Sequence, residues 1–470
     1  MNTTHTPKGA AFTDRFFYYS MRYKFHLLAM IAALGTSNRS ASPIRSRLVT
    51  ATHRMCGMNA PRSHWVGTIV LTFLLLGACA PTGYRDGAAA YHRGDYTTAI
   101  DKIKPLALED NAAAQAMLGL MYANGHGVPQ DDDLALQWYS KAAKLGQAQA
   151  QLALGLMHAE GGAVAQDDAT AAAWFRAAAE QGLGQAQYNL GLSYFKGHGV
   201  QQDDSEAIIW FRKAAEQQVV GAQNNLGFMY AKARGVPQDH SQAVQWFRKA
   251  ADRGYAAAEF NLATMYDNGR GVPKDDTMAA TWYQRAADQG YADAQFNLGT
   301  MFELGRGLRQ DPVEAVRWFR KAAETGYANA QASLGFMYER GRGVSQDDAK
   351  AANWYRKGAD QGYADAQFNL GVMYESGRGV IRSYAEAAKW YSKAAEQYHR
   401  HALVNLALIY ESGQGVKQDL VQAHLLFNMA AAGGDRAAAR FRDQLIHRMT
   451  SKDISKAQDL ARAWQLKQQN

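Results

Sequence analysis

Apolar and small residues fall along most of this chain in two alternating stripes, and one stretch shows both. In residues 291–326, YADAQFNLGTMFELGRGLRQDPVEAVRWFRKAAETG, the residues Ala294, Leu298, Met301 and Phe302 stand at i, i+4, i+7 and i+8. That spacing lines one face of a helix. Gly299 lies beside the stripe, where a missing side chain lets a neighbouring helix approach closely. Gly305 and Gly307 stop the helix, because glycine takes the left-handed backbone that a helix C-terminus commonly needs. Asp311 then offers a carboxylate to the free N–H groups of a second helix, Pro312 fits its first position, and Glu314 completes a capping-box-like start. Ala315, Trp318, Phe319 and Ala322 form the buried stripe of that helix, and Gly326 closes it. The pattern predicts a helical hairpin.

The hairpin recurs with a fixed period. Trp138, Trp174, Trp210, Trp246, Trp282, Trp318, Trp354 and Trp390 are 36 residues apart without an insertion, and Leu426 takes the ninth place. Nine copies fill residues 111–434. A single hairpin cannot bury both of its stripes, so each must stack on its neighbours. The predicted fold class is all-α, an α-solenoid of stacked helix-turn-helix units. Leu-Gly, a Tyr three residues later, Gly-x-Gly, the capping Asp and the Trp-aromatic pair recur together as AxAQxxLGxxYxxGxGVxxDxxxAxxWYxKAAExG. This pattern resembles the Sel-1-like repeat, a relative of the tetratricopeptide repeat. The resemblance implies a right-handed superhelix with a concave groove that holds other proteins. Residues 84–110 resemble a tetratricopeptide hairpin through Ala90, Tyr91, Gly94, Tyr96, Ala99, Ile100 and Pro105, so residues 79–110 read as a tether and N-terminal cap. Residues 435–470 read as C-terminal capping helices, with Thr450 and Asp453 placed to cap a last helix carrying Ile454, Ala457, Leu460, Ala461 and Trp464.

Charge changes this picture little. The formal net charge of +8 lies within residues 1–78, where nine Lys or Arg face the single acid Asp14, leaving 42 of the 51 basic and 42 of the 43 acidic residues elsewhere. A neutral array argues against nucleic acid as a partner. Residues 58–78 have Arg62 near their start, an apolar run from Val66 to Leu76, and small residues before Cys79. The run of 11 residues is too short for a bilayer, which takes about 20, so a secretion signal fits better than a membrane span. Leu76, Gly77, Ala78 and Cys79 resemble a bacterial lipobox. In this reading Met58 or Met55 is the true start, and residues 1–57 are a mis-assigned or disordered extension. Cys79 carries the lipid, and Ala80 after it implies sorting to the outer membrane. The protein then faces the periplasm and touches the membrane only through its acyl anchor. An unused signal would leave it cytoplasmic. Cys56 and Cys79 are the only cysteines, so the repeats hold no disulfide and no Cys-based metal site.

Catalytic signatures are missing. The array contains no HExxH, GxSxG, phosphate-binding loop or paired-Cys motif, and its recurring acids, Asp131, Asp203, Asp239, Asp275, Asp311, Asp347 and Asp419, hold one capping position. His399 and His401 stand at i, i+2 and share no helix face, so they make a poor metal pair. No enzyme, metal or cofactor is expected. A tetratricopeptide-like alignment puts Asp293, Phe296, Thr300 and Glu303 on the concave side of the first helices. Tyr188, Phe260, Phe296 and Phe368, with Asn261, Asn297 and Asn369, are the candidate groove residues, either gripping a partner or packing repeat on repeat. Arginines 270, 306, 342 and 378 and lysines 213, 249, 321 and 393 read as solvated faces with nearby acids. Three irregular places, Gln218 to Val220, Ala231 to Arg234 and Ile381 to Tyr384, are partner contacts or drift in tolerant loops. The expected function is a protein-binding scaffold of the cell envelope; the alternative is an accessory lipoprotein that binds peptidoglycan or exopolysaccharide.

Overall fold

The structure, a computed structural model, describes residues 82–469, with side chains described as far as residue 463. The N-terminal extension, the signal-like segment and Cys79 lie outside the described residues, as does the side chain of Trp464. Among the described residues there are 22 α-helices and no strand. The chain divides into two compact bodies between Leu183 and Gly184.

The first body holds α1 (Thr82–His92), α2 (Tyr96–Leu108), α3 (Ala112–Asn124), α4 (Asp132–Lys144), α5 (Ala148–Glu160) and α6 (Asp168–Glu180). The second begins with α7 (Gly184–Lys196), α8 (Asp204–Glu216), α9 (Val220–Lys232), α10 (His240–Ala251), α11 (Ala256–Asn268), α12 (Asp276–Asp288), α13 (Ala292–Leu304) and α14 (Pro312–Glu324). It continues with α15 (Ala328–Arg340), α16 (Asp348–Asp360), α17 (Ala364–Ser376), α18 (Tyr384–Ala395), α19 (Arg400–Ser412) and α20 (Leu420–Ala432). It closes with α21 (Arg436–Leu445), a 3-10 turn (Ile446–Arg448) and α22 (Ser451–Gln469). Within each body the helices form hairpins in chain order, and the second helix of a hairpin packs on the first helix of the next. This is the stacking of an α-solenoid.

Local chemistry sets the hairpin. α13 ends at Gly305 with φ 69°, and Asp311 Oδ1 accepts from the backbone N–H groups of Val313 and Glu314 at 2.9 and 3.1 Å to start α14. The carboxylates of Asp131, Asp167, Asp203, Asp239, Asp275, Asp347 and Asp419 cap their helices in the same way. In the irregular eighth repeat Ser383 replaces the aspartate, and its hydroxyl accepts from Glu386 N–H. Ala233 and Gln218 take φ of 55° and 67°, the left-handed backbone that glycine supplies in other repeats. The irregular stretches therefore keep the hairpin geometry with different residues.

The core bears out the stripe of Ala315, Trp318, Phe319 and Ala322, all four buried. The aromatic that follows the tryptophan, or Leu426 in the ninth repeat, lies deepest among the large side chains: Phe211, Tyr283, Phe319, Tyr355, Tyr391 and Phe427 are fully buried. Trp282, Trp318 and Trp390 are buried, whereas Trp138, Trp174, Trp210, Trp246 and Trp354 are half-exposed at its margin. A Cβ on Gly299 would come within 2.8 Å of the Phe319 ring, which is the close helix approach expected of that glycine. Gly307 does different work. It lies against the backbone carbonyl of Asp276 in the first turn of α12, and Gly343 meets Pro312 and Gly379 meets Asp348 at the same 31-residue distance along the chain. Each loop is thus seated on the preceding repeat. At the chain end Thr450 and Asp453 bond reciprocally at 2.7 and 3.2 Å to cap α22, and Leu445, Ala457 and Ala461 are buried.

Candidate interaction surface of the first helices

The predicted groove aromatics join neighbouring repeats. Phe296 is half-buried, its ring 5.8 Å from Phe319 of the same hairpin and 5.6 Å from Tyr327, which precedes the next one. Phe260 stands likewise between Tyr283 and Tyr291, at 5.7 and 5.1 Å. Phe368 lies 5.8 Å from Tyr391 and stacks on His399 at 4.7 Å. Tyr188 packs 5.9 Å from Phe211 and covers Gly221, and burial pushes its hydroxyl above the usual tyrosine range. Only part of each ring reaches the surface. The asparagines divide. Asn261 Nδ2 donates to Asn224 Oδ1 at 2.9 Å, and Asn405 Nδ2 donates to Tyr391 Oη at 3.1 Å. Asn369 makes no side-chain hydrogen bond among the described residues.

A charged ladder runs beside these rows: the sequence reading put acids near these basic residues without assigning the pairs, which join one repeat to the next. Arg306 bonds Asp267 and, at 3.1 Å, Asp276. Arg342 pairs with Glu303 at 3.2 Å and Arg378 with Glu339 at 2.7 Å, so a loop arginine reaches an acid 39 residues earlier, on the first helix of the preceding repeat. Arg448 from the 3-10 turn does the same for Glu411. Arg306 holds the Asp276 carboxyl below its ordinary range. Arg270 has no acid, since Ala231 and His240 occupy the equivalent places. The lysines are not free either: Lys213, Lys249, Lys321 and Lys393 lie 4.1, 3.9, 3.9 and 4.1 Å over the rings of Trp210, Trp246, Trp318 and Trp390. The signal was present in the sequence. Asp267, Glu303, Glu339, Glu375 and Glu411 recur every 36 residues.

The histidines serve packing and capping. His126 Nδ1 is 2.8 Å from Tyr91 Oη, and its ring stacks on Tyr96 at 4.2 Å. His399 caps α19 through Nδ1 and faces Asp365 through Nε2 at 3.2 Å, while His401 lies on the Phe368 ring instead. Among the described residues no group of three or more His, Cys, Asp or Glu is placed to hold a metal ion, and no helix is long and apolar enough to cross a membrane. What the surface offers is shape, partly exposed aromatic edges and paired charges.

The Sel1 repeat family model matches nine adjoining blocks, from residues 112–147 to residues 400–435. No curated protein matches the chain. The crystal structure of a protective antigen present in uropathogenic Escherichia coli strains, displaying an SLR fold, is similar at 36% identity. It covers 81% of this chain and 91% of its own, with a TM-score of 0.53. A Sel1 repeat protein from Oxalobacter formigenes is similar at 34% identity over 66% of this chain and 90% of its own, with a TM-score of 0.52. Proteins built on these repeats generally mediate protein–protein interaction and are generally not enzymes. With its hairpins, caps and stacked core matched over nine consecutive blocks, the chain belongs to the Sel1 repeat family.

Proposed function

We propose that this protein is a non-catalytic scaffold that holds other proteins of the bacterial cell envelope on the surface of its first helices. The charged ladder carries the reading. Alternating carboxylates and arginines along α11, α13, α15, α17 and their loops form a pattern that a polypeptide of complementary charge can read in register. A glycan surface would present open aromatic faces and unpaired amides. Here Phe260, Phe296 and Phe368 spend much of their rings on the aromatic of their own hairpin and on the residue that opens the next one, and Asn261 is hydrogen-bonded within the array. Both facts favour a protein partner over peptidoglycan or exported polysaccharide. Tyr188, Phe260, Phe296 and Phe368, with Asn369, then supply the apolar edges and the free amide beside the charges.

The envelope assignment rests on Leu76, Gly77, Ala78 and Cys79. Intact mass of the protein purified from membranes of a bacterial host tests it, with Cys79→Ala as control. The expected product is a lipidated chain beginning at Cys79, absent from the variant. A chain retaining Met1 and carrying no lipid in either form would overturn outer-membrane tethering and leave a cytoplasmic scaffold.

A further inference from the structure

One acid of the ladder lacks its arginine. Glu339 places Oε2 on the Tyr355 hydroxyl at 2.8 Å and Oε1 on Arg378 at 2.7 Å. Asp267 is held in the same fashion, by Arg306 on Oδ1 and by the Tyr283 hydroxyl at 3.5 Å on Oδ2. Glu375 repeats half of this arrangement. Its Oε2 accepts from the Tyr391 hydroxyl at 2.6 Å, yet the residue 39 positions on is Gln414, and no arginine or lysine pairs with Glu375 among the described residues. The next acid, Glu411, is complete because Arg448 reaches it. An open pocket of roughly 420 Å³ lies where the missing arginine would stand, lined by Glu375, Leu408, Glu411, Gln414 and Arg448 among others. Two carboxylates and one guanidinium leave it one negative charge in excess. Leu408 is 40% exposed and offers an apolar wall for an aliphatic stem.

The geometry points to this pocket as the receptor for an arginine side chain of a partner protein, its guanidinium bonding Glu375 Oε1 as Arg378 bonds Glu339. The inference rests on the scaffold reading and names one contact within it. Arginine suits the place better than lysine, because the chain itself fills the rungs on either side with guanidinium, whose planar fork matches a carboxylate edge. Gln414 is a neutral donor that leaves the rung open for a charge from outside.

Two measurements separate the contact from the reading beneath it. In the first, methyl NMR of the full chain follows Leu408 and Ile409 during titration with N-acetyl-arginine methylamide or with its neutral citrulline counterpart. Saturable shifts are expected with the arginine compound, weakened about tenfold or more for citrulline, for Glu375→Gln and for Gln414→Arg, which closes the rung in cis. Equal binding of both compounds, or undiminished binding by Q414R, overturns the pocket. In the second, a photo-crosslinking residue replaces Leu408 or the exposed Leu304 of the first helix α13 in the cell. Crosslinks to protein from position 408 that vanish in the Q414R background support the contact. Crosslinks that persist there overturn it and leave the scaffold standing, and an absence of protein crosslinks from both positions overturns the scaffold itself.

Discussion

A glutamine at the fourth place of most first helices ties repeats together; Glu259 and Leu403 stand there in the fifth and ninth repeats. Nε2 of Gln115, Gln295, Gln331 and Gln367 donates to the carbonyls of Ala107, Ala287, Ala323 and Ala359 at 3.1, 3.1, 3.1 and 3.2 Å. Where the same repeat ends in glutamine, that residue completes the link: Gln361 donates to Gln331 Oε1 at 2.7 Å, and Gln397 to Gln367 Oε1 at 2.9 Å. Leu145, Arg253 and Thr325 stand there in three repeats, and Oε1 of Gln115, Gln223 and Gln295 is buried without a partner. Leu145 is 55% exposed, so Leu145→Gln loses little burial and supplies the missing donor. It should stabilise the protein by about 1 kcal/mol, read from the urea midpoint; an unchanged midpoint would show that the orphan oxygen costs nothing. Glu259 is the odd member. It takes the glutamine's place at 1% exposure, with Arg285 at 3.1 Å and Gln289 at 2.6 Å, and burial raises its pKa despite both partners. As a carboxylate it has no proton to give the Ala251 carbonyl. A raised folded pKa means that its contribution is present below the ordinary carboxylate value near 4.5 and is lost as pH rises through the folded value. Glu259→Gln should therefore match wild type at pH 4.5 and exceed it by about 1 kcal/mol at pH 7.5. Identical urea midpoints at the higher pH would refute this account.

At the scale of the element, the seat of each loop matters as much as the cap of each helix. Gly307 has φ 65°, and a side chain there would overlap the Asp276 carbonyl, whose helix turn cannot move aside as a flexible side chain could. Gly307→Ala should cost about 3 kcal/mol or more, from combined backbone strain and overlap, whereas Ala at Gly326, where nothing lies within 4 Å of a Cβ, should cost only the positive-φ penalty of about 1 kcal/mol. Comparable losses at the two sites in thermal melts would argue that the loops are not seated. Helices, caps and loop ends were legible in the sequence because each depends on residues a few places apart: Asp311 with Glu314, Leu298 with Met301. The ladder and the glutamine ties were not, because Arg342 meets Glu303 only once two repeats are stacked in register. The tryptophan row was legible in part. Trp318 is buried as its stripe predicts, whereas its equivalents Trp210 and Trp246 lie at the core's edge with a lysine across the ring.

Across the second body the joints share one plan. Helix and loop seat recur at 36 residues, while Glu259 and Leu403 replace the tying glutamine and the charged rung is broken at Arg270 and Glu375, so each repeat's stability derives chiefly from packing on its two neighbours. Excising residues 292–327 joins Tyr291 to Ala328 and sets α15 on α12, with Arg342 presented to Asp267 in place of Glu303. Circular dichroism per residue should be unchanged and the urea m-value should fall in proportion to the length removed. Removing residues 292–309, half a repeat, should instead abolish the cooperative transition. A full-repeat deletion that unfolds would show that the joints are individual rather than interchangeable. Interchangeable joints have a consequence for inheritance. The segment YADAQFNLG occurs twice, at 291–299 and 363–371. The copies lie 72 residues apart, two repeats, so a genetic crossover between them adds or subtracts two whole hairpins while preserving both reading frame and the register of stacking. The length of this protein can therefore change by recombination in steps of two hairpins without creating a joint of a new kind.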